Sequence, residues 1–294
     1  MPRRQALSGF TEAVSGVTME GLVDLPARTS GTSGATGRMV SFAAADGTIL
    51  AYHLAGPGRP SIVLVHGWMT SGRVWHRLLP MLGDRGALVV DLRGTGASAA
   101  GTRPLTLDLL VDDLRAVVDH AGLERFHLVG HSMGGQLCQL LAARHPRRVR
   151  SLALLNPVPM AGLALPPDMA AAFRSAGGKR EVFDGVLTAA CRELGGDDRA
   201  LLLDQALATD AGTIAQMFDA WSRGVAPGPQ ATIVAPTMVL ATDDPFLPAE
   251  LLASAVVAPI SGACMETLPG PGHYPQLERP ADTAHQLLRL WSRA

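Results

Sequence analysis

The chain has 294 residues, 47% hydrophobic and 17% charged, with a formal net charge of −1 at pH 7. A chain of this length can bury a large core as one domain with an insertion. The charge leaves no basic surplus to neutralise phosphates, so a nucleic-acid partner is not expected.

Residues 1–38 are predicted to be a flexible N-terminal leader, because residues 28–38 have the Ser, Thr and Gly content of a linker. The alternative is an arm that packs on a partner subunit of a homodimer or over the site entrance. No apolar run is long enough to predict a membrane span, and the three cysteines are too far apart to predict a disulfide framework or a zinc site. We therefore expect a cytoplasmic protein.

From residue 39 onward, the pattern predicts strands that alternate with helices. Residues 39–43 and 49–54 flank Asp46-Gly47, which is typical of a hairpin. Further strands are predicted at 61–65, 87–91, 126–129 and 149–155, and helices at 73–82, 106–120 and 133–144. This order predicts an α/β fold with a mostly parallel sheet and right-handed crossovers.

The alternation stops after Pro157, where four helical patterns follow one another. They cover residues 168–176, 180–194, 198–209 and 213–222. Strands return at 237–241 and 263–268, and a helix at 281–292. We therefore predict an α/β core in two parts, residues 39–156 and 231–294, with a helical lid, or cap, at residues 157–230 inserted between them.

The segment Gly130-His131-Ser132-Met133-Gly134 lies between a predicted strand and a predicted helix. Small residues two before and two after Ser132 allow a tight turn that lifts its hydroxyl clear of the sheet. This arrangement is the nucleophile elbow of an acyl-transfer enzyme. A serine hydroxyl needs a base to remove its proton, and that base is usually a histidine oriented by a carboxylate.

His273 is the predicted base, because it lies in a Gly/Pro-rich loop between the last strand and the last helix. Asp244 is the predicted acid, with Asp243 in reserve, since both follow the strand at 237–241. Another placement of the acid, one strand earlier, holds Asn156, which cannot stabilise an imidazolium by charge.

The oxyanion formed during attack needs preorganised backbone N–H donors. The elbow predicts one donor at Met133, at the start of a helix, and the loop beginning His66-Gly67-Trp68 predicts the second at Trp68. His66 is expected to brace that loop. A glycine-containing loop at 91–98 lacks the features of a phosphate-binding loop, so no cofactor or metal is expected.

These motifs, in this order, resemble the landmarks of the α/β-hydrolase superfamily over residues 39–294. They are His66-Gly67-Trp68, Asp91-x-Arg93-Gly94-x-Gly96-x-Ser98, the Ser132 elbow, Asp244-Pro245 and Gly272-His273. The resemblance implies an eight-stranded, mostly parallel sheet whose second strand is antiparallel, with a lid inserted after the sixth strand. It is strongest to lidded, esterase-like serine hydrolases that act on small molecules.

The sequence therefore predicts a serine hydrolase that cleaves a carboxylic ester or lactone of a small apolar molecule through an acyl-enzyme. Candidate pocket residues are Met69, Met160, Phe173, Met217, Phe218 and Trp221, for which ordinary packing of lid onto sheet is the alternative. Three other functions stay open. They are a natural-product tailoring enzyme that uses the same triad for cyclisation or acyl transfer, a carbon–carbon bond hydrolase, and a catalytically silent ligand-binding member.

Overall fold

The computed structural model describes residues 37–226 and 232–293. The leader predicted at residues 1–38 therefore lies outside the described residues, apart from its last two positions. None of the helices in the described ranges is both long and apolar enough to cross a bilayer.

The described residues form one eight-stranded sheet. Its strands are β1 (Arg38–Ala43), β2 (Ile49–Ala55), β3 (Pro60–Val65), β4 (Gly86–Asp91), β5 (Phe126–His131), β6 (Val149–Leu155), β7 (Thr237–Thr242) and β8 (Cys264–Leu268). Their order across the sheet is β1-β2-β4-β3-β5-β6-β7-β8. Strand β2 is antiparallel to β1 and β4, and the other neighbouring pairs are parallel. The predicted fold class is confirmed, and each predicted strand is present to within two residues.

Nine α-helices of four residues or more lie in the described ranges. They are α1 (Leu107–His120), α2 (Met133–Arg144), α3 (Pro167–Arg174), α4 (Arg180–Ala190), α5 (Gly196–Ala208), α6 (Ala211–Arg223), α7 (Ala249–Leu252), α8 (Pro275–Glu278) and α9 (Pro280–Trp291). Helix α1 begins where the sequence indicates, because the Thr106 side chain accepts the Leu109 N–H at 3.1 Å as an N-cap.

The helix predicted at 73–82 is instead two short 3₁₀ helices, Gly72–Trp75 and Leu79–Leu82. Pro80 explains the interruption, because proline has no N–H and its ring clashes with a preceding helical turn. The prediction of one continuous helix was therefore wrong.

Helices α3 to α6 lie between β6 and β7, and we call them the cap helices. Helix α4 ends at Ala190 rather than at the predicted residue 194, and Cys191 is extended, with φ −97° and ψ 155°. The Ala190 carbonyl accepts the backbone N–H of His273 at 2.9 Å. A tertiary contact therefore holds the end of this helix.

Strands β4 and β7 are buried at every position, as expected for strands of a parallel sheet covered on both faces. Parallel strands place their carboxyl ends at the same edge of the sheet. The loops after β3, β5, β6 and β7 therefore meet at one edge, where the predicted site residues lie.

Candidate active site

Three residues other than glycine have a positive φ within the described ranges, and all three lie at this edge. Met69 (φ 59°) lies in the loop after β3, Ser132 (φ 54°) follows β5 directly, and Asn156 (φ 39°) follows β6 directly. A positive φ is costly for residues with a side chain and persists only where the surrounding structure enforces it. Backbone strain is therefore concentrated at the edge where the predicted nucleophile lies.

Ser132 occupies a tight turn between β5 and α2. Its N–H donates to the Leu155 carbonyl at 3.0 Å, which ties the turn to β6. A Cβ at Gly130 would lie 2.5 Å from the Gly134 carbonyl oxygen, and one at Gly134 would lie 2.3 Å from the His66 carbonyl oxygen. Both glycines are therefore required sterically, as the elbow pattern indicates.

The imidazole of His273 lies beside the carboxylate of Asp244. The distance between His273 Nδ1 and Asp244 Oδ2 is 2.6 Å, and Asp244 is buried. The other carboxylate oxygen, Oδ1, accepts the Phe246 N–H at 2.9 Å. Asp244 can therefore accept a hydrogen bond from protonated Nδ1, which leaves Nε2 as the basic nitrogen of a neutral ring.

Asp243, the reserve candidate, has different surroundings. It is exposed, and its Oδ2 accepts the Gly270 N–H at 2.9 Å. The structure thus places Asp244, and not Asp243, against the ring of His273.

Ser132 and His273 line the same cavity. Among the described residues, no direct hydrogen bond joins the Ser132 hydroxyl to the His273 ring. In sites without substrate, such hydrogen bonds are often long and tighten only in the reacting complex.

The two predicted oxyanion donors belong to two segments that adjoin Ser132. Met133 is the first residue of α2, so its N–H has no acceptor within the helix and lies at the positive end of the helix dipole. A Cβ at Gly67 would lie 3.1 Å from the Ser132 Cβ. This close approach places the loop that carries Trp68 directly against Ser132.

His66 braces this loop, as the sequence predicts. Its Nδ1 lies 2.8 Å from the Gly67 carbonyl oxygen, and its Nε2 accepts the Leu92 N–H at 3.0 Å. These partners fix the neutral form protonated at Nδ1. Burial lowers the pKa of His66, which agrees with a neutral structural role.

The backbone of His273 is held by two side chains that the sequence did not assign to this role. His131 Nε2 lies 2.8 Å from the His273 carbonyl oxygen, and Asn156 Nδ2 donates to the same oxygen at 3.2 Å. Burial and the neighbouring His273 hold the pKa of His131 well below its usual value, so the ring is neutral and donates through Nε2. These roles have no local sequence signal, because their partner is 117 to 142 residues away.

The cavity has a volume of about 60 Å³ and mostly apolar walls. Of the pocket candidates, Phe173 and Trp221 line it, and the Phe173 ring stacks on that of Trp68 with centroids 5.4 Å apart. The other candidates are buried in the core and do not line this cavity; they are Met69, Met160, Met217 and Phe218.

Sequence reasoning missed nine residues of the wall, of which six are aliphatic and three are aromatic. The missed residues are Val158, Leu163, Leu165, Phe183, Val186, Ala190, Phe246, Leu247 and Tyr274. Three of them, Phe183, Val186 and Ala190, are three and four residues apart on α4, so a helical stripe could have found them. Among the described residues, no Asp, Glu, Lys or Arg side chain lines this cavity.

A sequence profile described as "Alpha/beta hydrolase family" matches residues 62–286. The chain belongs to the alpha/beta hydrolase family. Within the described residues, no group of three or more His, Cys, Asp or Glu side chains is arranged to hold a metal ion.

Two curated relatives each match about a third of this chain. The pimeloyl-[acyl-carrier protein] methyl ester esterase of Aeromonas hydrophila subsp. hydrophila is 40% identical over 95 residues, which are 32% of this chain and 36% of the esterase. Lipase LipV of Mycobacterium tuberculosis is 41% identical over 103 residues, which are 35% of this chain and 39% of the lipase. The chain thus matches well under half of the length of these relatives.

A solved structure covers far more of the chain. A thermophilic esterase from Thermogutta terrifontis is 25% identical with a TM-score of 0.73, over 87% of this chain and 98% of that esterase. The family and these relatives make the chain an enzyme of the α/β-hydrolase fold.

Proposed function

We propose that this protein hydrolyses a carboxylic ester or lactone of a small apolar molecule through an acyl-enzyme on Ser132. The observation that carries the proposal is the 2.6 Å contact between His273 Nδ1 and buried Asp244, with His273 and Ser132 on the wall of one cavity. Esterases and a lipase among the relatives support the same reaction class.

In this mechanism, the Ser132 oxygen attacks the carbonyl carbon while His273 Nε2 takes the hydroxyl proton. Asp244 stabilises the imidazolium, and the N–H groups of Trp68 and Met133 stabilise the oxyanion. Collapse of the tetrahedral intermediate breaks the ester C–O bond, and His273 gives its proton to the leaving alkoxide. Water activated by His273 then hydrolyses the acyl-enzyme and restores the serine.

The cavity indicates the kind of acyl group. Its walls, as formed by the described residues, are apolar and carry no Asp, Glu, Lys or Arg side chain, which favours an uncharged, apolar group. Its volume of about 60 Å³ is small beside the roughly 300–1,000 Å³ typical of ligand sites. We expect short acyl chains to fit best, with residues 157–230 acting as the lid that covers the site.

A panel of nitrophenyl esters from acetate to palmitate tests the proposal. We expect the highest kcat/KM for the short esters, and a loss of about 10⁴-fold or more in kcat for Ser132→Ala and His273→Ala. Ser175→Ala, an exposed serine of the cap region, is the matched control and should keep the wild-type rate. Unchanged hydrolysis by Ser132→Ala would disprove the assignment of the nucleophile.

The same panel separates hydrolysis from acyl transfer, which needs the same triad. Added alcohols or amines would divert the acyl group into transfer products if water is excluded from the acyl-enzyme. We expect the free acid as the main product, and predominant transfer products would favour the tailoring enzyme instead.

A further inference from the structure

The side chain of Glu278, the last residue of α8, forms an unusual junction. Its Oε2 accepts the N–H groups of Arg192 at 2.8 Å, Glu193 at 2.8 Å and Gly272 at 2.9 Å, and its Oε1 accepts the Tyr274 N–H at 3.1 Å. The residue is 8% exposed. No ion pair to Glu278 exists among the described residues, so backbone donors alone compensate this buried carboxylate.

The four donors come from two separate parts of the chain. Gly272 and Tyr274 flank the predicted base, and the other two N–H groups follow α4 of the cap. A direct backbone contact adds to the junction, since the His273 N–H donates to the Ala190 carbonyl at 2.9 Å. A Cβ at Gly272 would lie 2.1 Å from that carbonyl oxygen. The cap and the base loop are therefore in contact, and one carboxylate binds both.

We infer that Glu278 is a positioning residue for the hydrolytic reaction, holding the loop that carries His273 in register with cap residues 190–193. This inference rests on the proposed function, because it gives Glu278 a role only through His273. Hydrogen bonds to a carboxylate are about twice as strong as neutral ones. Two such bonds go to the residues on either side of His273, and two go to the cap residues Arg192 and Glu193. Together they restrict the backbone from which the His273 ring reaches Asp244.

Position 278 requires a side chain with two hydrogen-bond acceptors, because both oxygens of Glu278 accept N–H groups. A glutamine has nearly the same shape, but only one of its two terminal atoms accepts a hydrogen bond, and its NH₂ group would face N–H donors. At least one buried N–H would lose its acceptor. Because a displacement of about 1 Å in a catalytic group can cost about 100-fold in rate, a small shift of this loop should be visible in kcat.

The test compares Glu278→Gln and Glu278→Asp with Glu124→Gln, an exposed glutamate just before the amino end of β5, away from the site. The substrate is the best nitrophenyl ester of the panel. Folding is checked by circular dichroism and Tm. We expect Glu278→Gln to lower kcat by about 10- to 100-fold with KM within about twofold of wild type. The control should match the wild type.

A second measurement tests the activation of Ser132 by His273 without using an ester substrate. The rate at which a fluorophosphonate labels Ser132 depends on activation of its hydroxyl, so it should fall in Glu278→Gln by a factor close to that in kcat. A purely structural role would lower Tm and leave kcat and the labelling rate of the folded protein unchanged. That result would overturn the inference.

Glu278→Asp keeps the charge and shortens the side chain by one methylene, so it provides a folded variant if the glutamine variant does not fold. It should also lower kcat with KM unchanged, and wild-type kcat in this variant would contradict the inference. Ser132→Ala and His273→Ala, assayed beside it, separate the two proposals. If both keep activity, the proposed function fails; if both lose it while folded Glu278 variants do not, only this inference fails.

Discussion

Two adjacent aspartates at the end of β7 have opposite surroundings. Asp244 is buried against the ring of His273, whereas Asp243 is exposed and caps the Gly270 N–H. A buried carboxylate beside an imidazole can hold the ring in one tautomer and stabilise its protonated form. An exposed carboxylate on a backbone N–H only fixes a loop.

This difference predicts the outcome of a matched pair of substitutions. Asp244→Asn should lower kcat by about 10⁴-fold, because the amide can donate to Nδ1 and favours the wrong tautomer. Asp243→Asn makes the same chemical change one residue away and should cause a far smaller loss. Both are measured as kcat on the best ester of the panel.

Equal losses in the two variants would contradict the assignment of Asp244 as the acid. A large loss only in Asp243→Asn would transfer the role to Asp243. Circular dichroism of both variants ensures that folded proteins are compared.

At the scale of elements, the cap helices also contact the loop that carries Trp68. The Trp68 indole N–H donates to the Ile214 carbonyl of α6 at 2.9 Å. Gln205 of α5 accepts both the N–H of Ser71, at 2.6 Å, and its hydroxyl, at 2.7 Å. The cap therefore holds the loop that carries a proposed oxyanion donor, as well as the loop of His273.

The contact between Gln205 and Ser71 predicts a stability effect. Gln205→Leu leaves the buried Ser71 N–H without an acceptor, so it should lower the free energy of unfolding by about 1–3 kcal/mol. Gln205→Glu keeps an acceptor at the same reach and should lose less. Urea unfolding of both variants measures the difference.

The same two variants, Gln205→Leu and Gln205→Glu, also test whether this contact positions the loop that carries Trp68. A loosened loop should lower kcat in Gln205→Leu more than in Gln205→Glu, since the donors must be preorganised. Wild-type stability and wild-type kcat in Gln205→Leu would show that this contact contributes nothing.

At the scale of the whole molecule, neutral histidines that are buried or half-buried link stability to pH. Burial, with Arg150 and Arg85 nearby, lowers the pKa of His127 from 6.5 to about 4. His66 and His131 also have lowered pKa values because they are buried. In the unfolded chain these side chains take up protons near pH 6.5, whereas in the folded protein they remain neutral to lower pH.

The sign of the effect follows directly. Below about pH 6.5 the unfolded chain binds more protons than the folded protein, so the free energy of unfolding should fall as the pH drops from 7.5 towards 4. Urea unfolding across this range measures the slope. His127→Asn should make the slope shallower, because one such histidine is removed.

His285→Asn is the matched control, because His285 is exposed. It should leave the slope unchanged. An equal slope in wild type and His127→Asn would contradict the assignment of His127 to this effect.

The sequence by itself determined the order of strands and helices and the position of the elbow. Apolar runs mark buried strands whatever lies beyond them, and the glycines around Ser132 are needed for a turn formed within five residues. The sequence pattern did not predict that the helix at 73–82 is interrupted before Pro80, where the backbone constraint of proline overrode the helical pattern. Motif order also placed Ser132, Asp244 and His273 on loops at one edge of a parallel sheet.

The tertiary structure decided which side chains meet across these loops. Asp243 and Asp244 are adjacent in the sequence, but Asp244 meets the ring of His273 and Asp243 meets the Gly270 N–H. The Glu278 junction joins residues up to 86 positions apart. The cavity wall likewise combines one face of α4 with loops from both parts of the core. Such contacts depend on where separate segments converge, and this is set by packing of the whole sheet and cap rather than by any local pattern of residues.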